Sequence, residues 1–99
     1  MTIERTAENE SIILAVSGEL TVMTAEQLSN AVKTAVTETG ALVLDFANME
    51  YVSSAGLRVL LEAKKLMDAK KGELIIRNVS EALMRTFEIV GFSDILRFE

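Results

Sequence analysis

Between Gly40 and Asn48 the chain runs A-L-V-L-D-F-A, from Ala41 to Ala47, with Asp45 its one charge. A run that short and that apolar, bounded by turn-forming residues, predicts a strand covered on both faces. Upstream, Ala25, Leu28, Val32, Ala35 and Val36 recur at helical spacing and leave Glu26, Lys33 and Glu38 on the wet side. Downstream, Leu57, Leu60, Leu61, Ala63, Leu66 and Met67 build a broad apolar helical face. A buried strand with a helix on each side in sequence needs crossover connections, so Ala41–Ala47 is expected to be the central strand of a sheet with parallel βαβ units.

The flanking segments extend that pattern. T-I-E-R-T and S-I-I-L-A-V-S-G are strand-like runs around the polar break A-E-N-E, which predicts a hairpin. T-A-E-Q from Thr24 reads as a capping box in which Thr24 and Gln27 satisfy each other's backbone N–H groups, and Gly40 reads as the stop of that helix. K-K-G at 70–72 places cations at the negative pole of the second helix, with the glycine suited to a left-handed cap. E-L-I-I-R is another short strand. Ser80 reads as the N-cap of a third helix, with Val79 and Met84 spaced for a hydrophobic staple and Gly91 as its stop. The tail F-S-D-I-L-R-F-E fits either an edge strand or a short extended segment. The expected architecture is a single α/β domain over residues 1–99, a mixed sheet packed against three to four helices.

Composition removes most catalytic chemistries. The chain has no cysteine and no histidine, so thiol and Ser-His-Asp nucleophiles and His- or Cys-ligated metals lack their central residues. Its five glycines are too far apart for a phosphate-binding loop. Asp45 and Glu50 lack a third ligand for a metal, and Met23, Met49, Met67 and Met84 fall on separate elements, as core-filling residues do. Lys64, Lys65, Lys70 and Lys71 are diluted by Glu62 and Asp68, and a formal charge of −5 opposes binding to a polyphosphate. The acidic N-terminal stretch is unlike a secretory signal, and no apolar run approaches transmembrane length. The expectation is a cytoplasmic protein starting near Met1 that is no enzyme, holds no metal or cofactor, and binds neither nucleic acid nor membrane.

One stretch asks for more. Y-V-S-S-A-G-L puts two adjacent hydroxyls, Ser53 and Ser54, where a strand gives way to a helix. The plain role for either is an N-cap. A hydroxyl held there is also a place where phosphate would change the local charge.

G-E-L-T-V-M-T-A-E-Q-L, A-L-V-L-D-F-A-N-M-E-Y-V-S-S-A-G-L-R-V-L-L and E-A-L-M-R-T-F-E-I-V-G-F-S-D-I-L-R-F, in that order, resemble the STAS-domain anti-sigma-factor antagonists of bacteria, over nearly the whole chain. The resemblance implies a partner, an anti-sigma factor that is also a serine kinase, and a metal-dependent serine phosphatase that reverses its action. The family phosphoacceptor falls two residues before the glycine, on Ser54, with Ser53 the lesser candidate. Thr21 and Ser53 stand where such antagonists often carry aspartate. Closeness to Ser54 then predicts a partner-binding surface of Thr21, Val22 and Met23, a loop from Asn48 to Ser53 including Met49, and the first turn with Ala55, Gly56 and Arg58. Arg58 is expected to pair with Glu62 or with a partner's carboxylate. The alternatives are an unregulated STAS interaction scaffold and a small-ligand-binding domain.

Overall fold

The computed structural model describes the whole chain, Met1–Glu99. The expected hairpin forms from β1 (Thr2–Glu8) and β2 (Ser11–Leu20), which pair antiparallel. Asn9 and Glu10 join them with φ of 49° and 71°, the left-handed pair that a two-residue hairpin turn requires. Thr39, buried, donates its hydroxyl to the Glu10 carbonyl at 2.8 Å and holds the less tolerant of the two in place.

From there the chain alternates: α1 (Ala25–Val36), β3 (Ala41–Val52), α2 (Ser54–Ala69), β4 (Glu73–Arg77), α3 (Glu81–Ile89), a 3₁₀ turn (Phe92–Asp94) and β5 (Arg97–Phe98). The strands lie in the order β1-β2-β3-β4-β5, with every pair beyond the hairpin parallel, so β3 is central as expected. The tail is an edge strand after all, and Phe98 packs its ring 5.3 Å from that of Phe87.

Only one face of the sheet is covered by helices. Ile12, Leu14 and Val16 of β2, Leu42, Leu44 and Phe46 of β3, and Leu74 and Ile76 of β4 join Leu28, Val32, Leu60, Ala63, Met67, Leu83 and Phe87 in one core. The opposite face carries the cross-strand row Thr6, Ile13, Val43, Ile75 and Arg97, outside that core. The expectation of cover on both faces is therefore met only in part: Ile13 and Val43 are buried, but on a face that lies outside the core the helices join.

β3 is also longer than expected. The segment Asn48–Val52, expected to be part of a loop, continues the strand because β2 runs beside it as far as Leu20. Two register shifts, between Ala15 and Ser17 and between Gly18 and Glu19, let the pair bend as it extends. Gly18, at φ 100°, provides the backbone conformation that the second shift needs.

Three end signals resolve differently from the sequence reading. α1 stops at Val36, well before Gly40, and its last carbonyl, that of Val36, is taken by the Lys70 ammonium, which also bonds the carbonyl of Thr39 beyond the helix at 2.9 Å. Lys70 thus caps α1 from the end of α2, a contact between remote segments. The left-handed residue after α2 is Lys71, at φ 58°, and not Gly72. Gly72 is needed for space: a Cβ there would lie 2.7 Å from the Gly40 carbonyl oxygen and 2.7 Å from Met67 Cε. Ser80 does cap α3, accepting from the Leu83 N–H at 3.2 Å, and Gly91 follows α3 at φ 83°.

Asp45 ties the parallel strands together at the level where β4 ends. Burial pushes its pKa up, but hydrogen bonds from Asn78, the Ala47 N–H and Arg77, with the Arg77 charge, outweigh that and hold it below the ordinary value. A depressed folded-state pKa contributes stability that is fully present above the unfolded value of about 3.9 and is lost as pH falls through the folded one. Asp45→Asn is expected to cost about 1–3 kcal/mol at pH 7. The difference from wild type should shrink as pH falls below about 4 in urea titrations. A gap independent of pH would show that the carboxylate charge plays no part.

Candidate functional site

The long β2–β3 pair sets the site. Leu20 lies opposite Val52, both buried, and the Ser53 N–H donates to the Leu20 carbonyl at 2.8 Å, the last link before the chain turns into α2. Gly56, in the first turn of α2, rests on these two residues: a Cβ there would meet Leu20 Cγ at 2.6 Å and Val52 Cγ1 at 3.0 Å. A larger residue would lift the helix start off the sheet.

The two hydroxyls are thereby given different work. Ser53 is the N-cap, extended at φ −87° and ψ 176°, and its Oγ accepts the Gly56 N–H at 3.3 Å. Ser54 is the first helical residue; it is exposed, and its hydroxyl makes no hydrogen bond within the protein. Ser is among the preferred N-cap residues, so Ser53 by itself secures the helix start.

Beside it, the turn from β2 into α1 is held by backbone. Thr21 accepts the N–H groups of Thr24 and Ala25 on its carbonyl at 3.1 and 2.8 Å. The Thr24 hydroxyl donates to the Glu19 carbonyl at 2.8 Å and accepts the Thr21 N–H at 2.9 Å. It points back to the strand and makes no bond into α1, so the expected capping box does not form; Gln27 reaches the Met1 carbonyl instead. This tight turn pushes Val22 and Met23 outward, 76% and 87% exposed.

Thr21, Val22, Tyr51, Ser53, Ser54, Ala55 and Arg58 line an open depression of about 510 Å³. Six of the expected surface residues are therefore brought together, with Met23 next to them in the chain. Two are not available: Met49 is in the core and Gly56 is packed under the helix, because the expected loop is a strand that turns alternate residues inward and the helix start must sit flush on it. Asn48 is exposed but borders a smaller recess with Ala15, Val16, Ser17, Asp45 and Ala47. Tyr51, half exposed in the depression, falls within the expected surface from Asn48 to Ser53, though on a strand and not in a loop. Its signal was an aromatic residue two positions before the cap, a residue type favoured in interfaces.

Arg58 is the only charged residue lining the depression. It does not pair with Glu62, whose carboxylate accepts the Ser29 hydroxyl at 2.8 Å and lies 4.0 Å from Lys33. No cluster of three or more His, Cys, Asp or Glu side chains is placed to hold a metal ion, and no helix is long and apolar enough to cross a membrane.

A mixed sheet with helices on one face, and a serine-capped helix springing from the end of its long central strand, define a small α/β module whose exposed feature is a helix start. Residues 2–99 match the family model for the STAS domain, and the chain belongs to that family. It is 30% identical over 93 residues to an anti-sigma-B factor antagonist of Listeria monocytogenes, covering 93% of this chain and 82% of that protein. In structure it resembles an anti-sigma factor antagonist from Mycobacterium paratuberculosis, with TM-score 0.88 and 23% identity over 98% of this chain and 83% of that one. It also resembles the Bacillus cell fate determinant SpoIIAA in its phosphorylated form, with TM-score 0.77 and 19% identity over 99% of this chain and 91% of that one.

The division of labour between the serines is measurable. Ser53→Ala is expected to lower stability by about 1 kcal/mol through loss of the cap, whereas Ser54→Ala should stay within about 0.5 kcal/mol of wild type. Chemical denaturation of the two variants separates them, and equal losses would contradict the assignment.

Proposed function

We propose that this protein is an anti-sigma-factor antagonist: a binding module that engages an anti-sigma factor with serine kinase activity through the depression around Ser54, and is switched off by phosphorylation of that residue. A serine phosphatase restores it. The observation that carries the reading is the free, exposed Ser54 hydroxyl at a site whose neighbouring serine already supplies the cap. A kinase can take Ser54 without dismantling the helix start, while Ser53 is occupied by the Gly56 N–H.

The surface suits the role. Val22, Met23 and Tyr51 offer exposed apolar and aromatic contact around a single cation, a composition found at the energetic centre of protein interfaces. Phosphate would bring about −1.5 to −2 charges to the middle of it. Because the N-terminus of a helix favours an anion, the domain itself keeps its fold and the cost falls on the partner, whose groups must desolvate against the new charge. A thousandfold loss of affinity corresponds to about 4 kcal/mol, within reach of one badly placed charge.

The reading predicts that Ser54→Asp lowers affinity for the anti-sigma partner at least tenfold while the melting temperature moves by less than a few degrees; Ser54→Ala should bind as wild type does. Calorimetric titration against the host's anti-sigma kinases, with phosphopeptide mapping of the protein from growing and stressed cells, provides the check. Wild-type affinity in Ser54→Asp, together with no phosphate on Ser54 in either condition, would leave an unregulated module.

A further inference from the structure

Ser54 and Arg58 stand four residues apart in α2 and line the same depression. Side chains at that spacing are neighbours on the helix surface, with Cβ atoms about 5–6 Å apart. Arg58 forms no ion pair within the chain, since Glu62, one turn further along, is engaged by Ser29 and Lys33. Among the lining residues contributed by the β2–α1 turn, by β3 and by α2, Tyr51 is the one other side chain that titrates, and none is a carboxylate. A guanidinium thus stands without a charged partner beside a hydroxyl in the same state.

We propose that Arg58 is a positioning residue for phosphorylated Ser54: once phosphate is attached, the guanidinium folds back over the first turn of α2 and holds it in a bidentate ion pair. The inference rests on the reading of Ser54 as phosphoacceptor. Arginine's planar fork matches two phosphate oxygens, which a lysine ammonium does not. The pair would change the depression twice over. The rim passes from one positive charge to about one negative, and the cation a partner carboxylate would have met is taken up within the chain.

The test uses the full chain with phosphoserine installed at position 54 by genetic encoding, and follows the phosphate by ³¹P NMR as a function of pH. A nearby cation favours the dianion, so Arg58→Gln is expected to raise the second pKa of the phosphate by about half a unit relative to wild type, and Arg58→Lys by less. The Arg58 Nε–H resonance should also move between the unmodified and phosphorylated wild-type chains. Identical ³¹P titrations of wild type and Arg58→Gln, with an unmoved Nε–H resonance, would overturn the proposal. Because the phosphate is installed directly, that outcome is distinct from finding no phosphate on Ser54 in the host, which would count against the proposed function instead.

Discussion

The parallel pairing of β2 with β3, carried to Leu20 and Val52, fixes where α2 begins and what surrounds its start. It ends in the hydrogen bond from the Ser53 N–H to the Leu20 carbonyl, and the two buried side chains form the seat on which Gly56 rests. α2 can start only where that seat is, so the strand register decides which serine caps and which is exposed. The same register carries the β2–α1 turn, with Val22 and Met23, to the flank of that helix start. A slip of one residue in β3 would exchange inward and outward side chains and bury a different set.

Around that seat the electrostatics are unusual for the molecule. The chain has a formal charge of −5, yet no carboxylate lines the depression and its single charged residue is a cation. A protein acidic elsewhere discourages non-specific association with other acidic surfaces. A local apolar area centred on arginine provides the attraction a specific partner needs. Such a surface is sensitive to a new anion because its contrast with the surroundings is small in area and rests on one charge. The helix start tolerates phosphate for the opposite reason: its unpaired N–H groups already favour negative charge.

Much of the architecture was legible because it is written in local periodicity. Ala41–Ala47 announced the central strand, the helical face of α1 followed from spacing, that of α2 did so except that Val59 is in the core and Leu61 is not, and Ser80 and Gly91 marked the ends of α3 by side-chain chemistry that acts within a few residues. What was misread involved groups whose partners lie elsewhere than the local signal put them. Thr24 looked like a capping residue, but its hydroxyl is held by the Glu19 carbonyl and the Thr21 N–H. Gly72 looked like a left-handed cap, but its value is the space it leaves for Gly40 and Met67, more than thirty and five positions away in the chain respectively. Lys70 looked like a dipole partner of its own helix and instead closes the end of α1. In the site, Met49 and Gly56 were expected at the surface because closeness in sequence to Ser54 was taken for closeness in exposure.

Hydrophobic period and turn chemistry act over short stretches of chain, and they suffice for the order and type of the elements through α3, the mixed sheet, and the position of two hydroxyls at a helix start. Legible only in the folded chain are the run of β3 on to Val52, the face of the sheet that lacks helices, the capping by Ser53 that leaves Ser54 free, and the unpaired Arg58 beside it. Each of those outcomes depends on strand register and on packing between residues far apart in the chain, and neither leaves a local periodic signal.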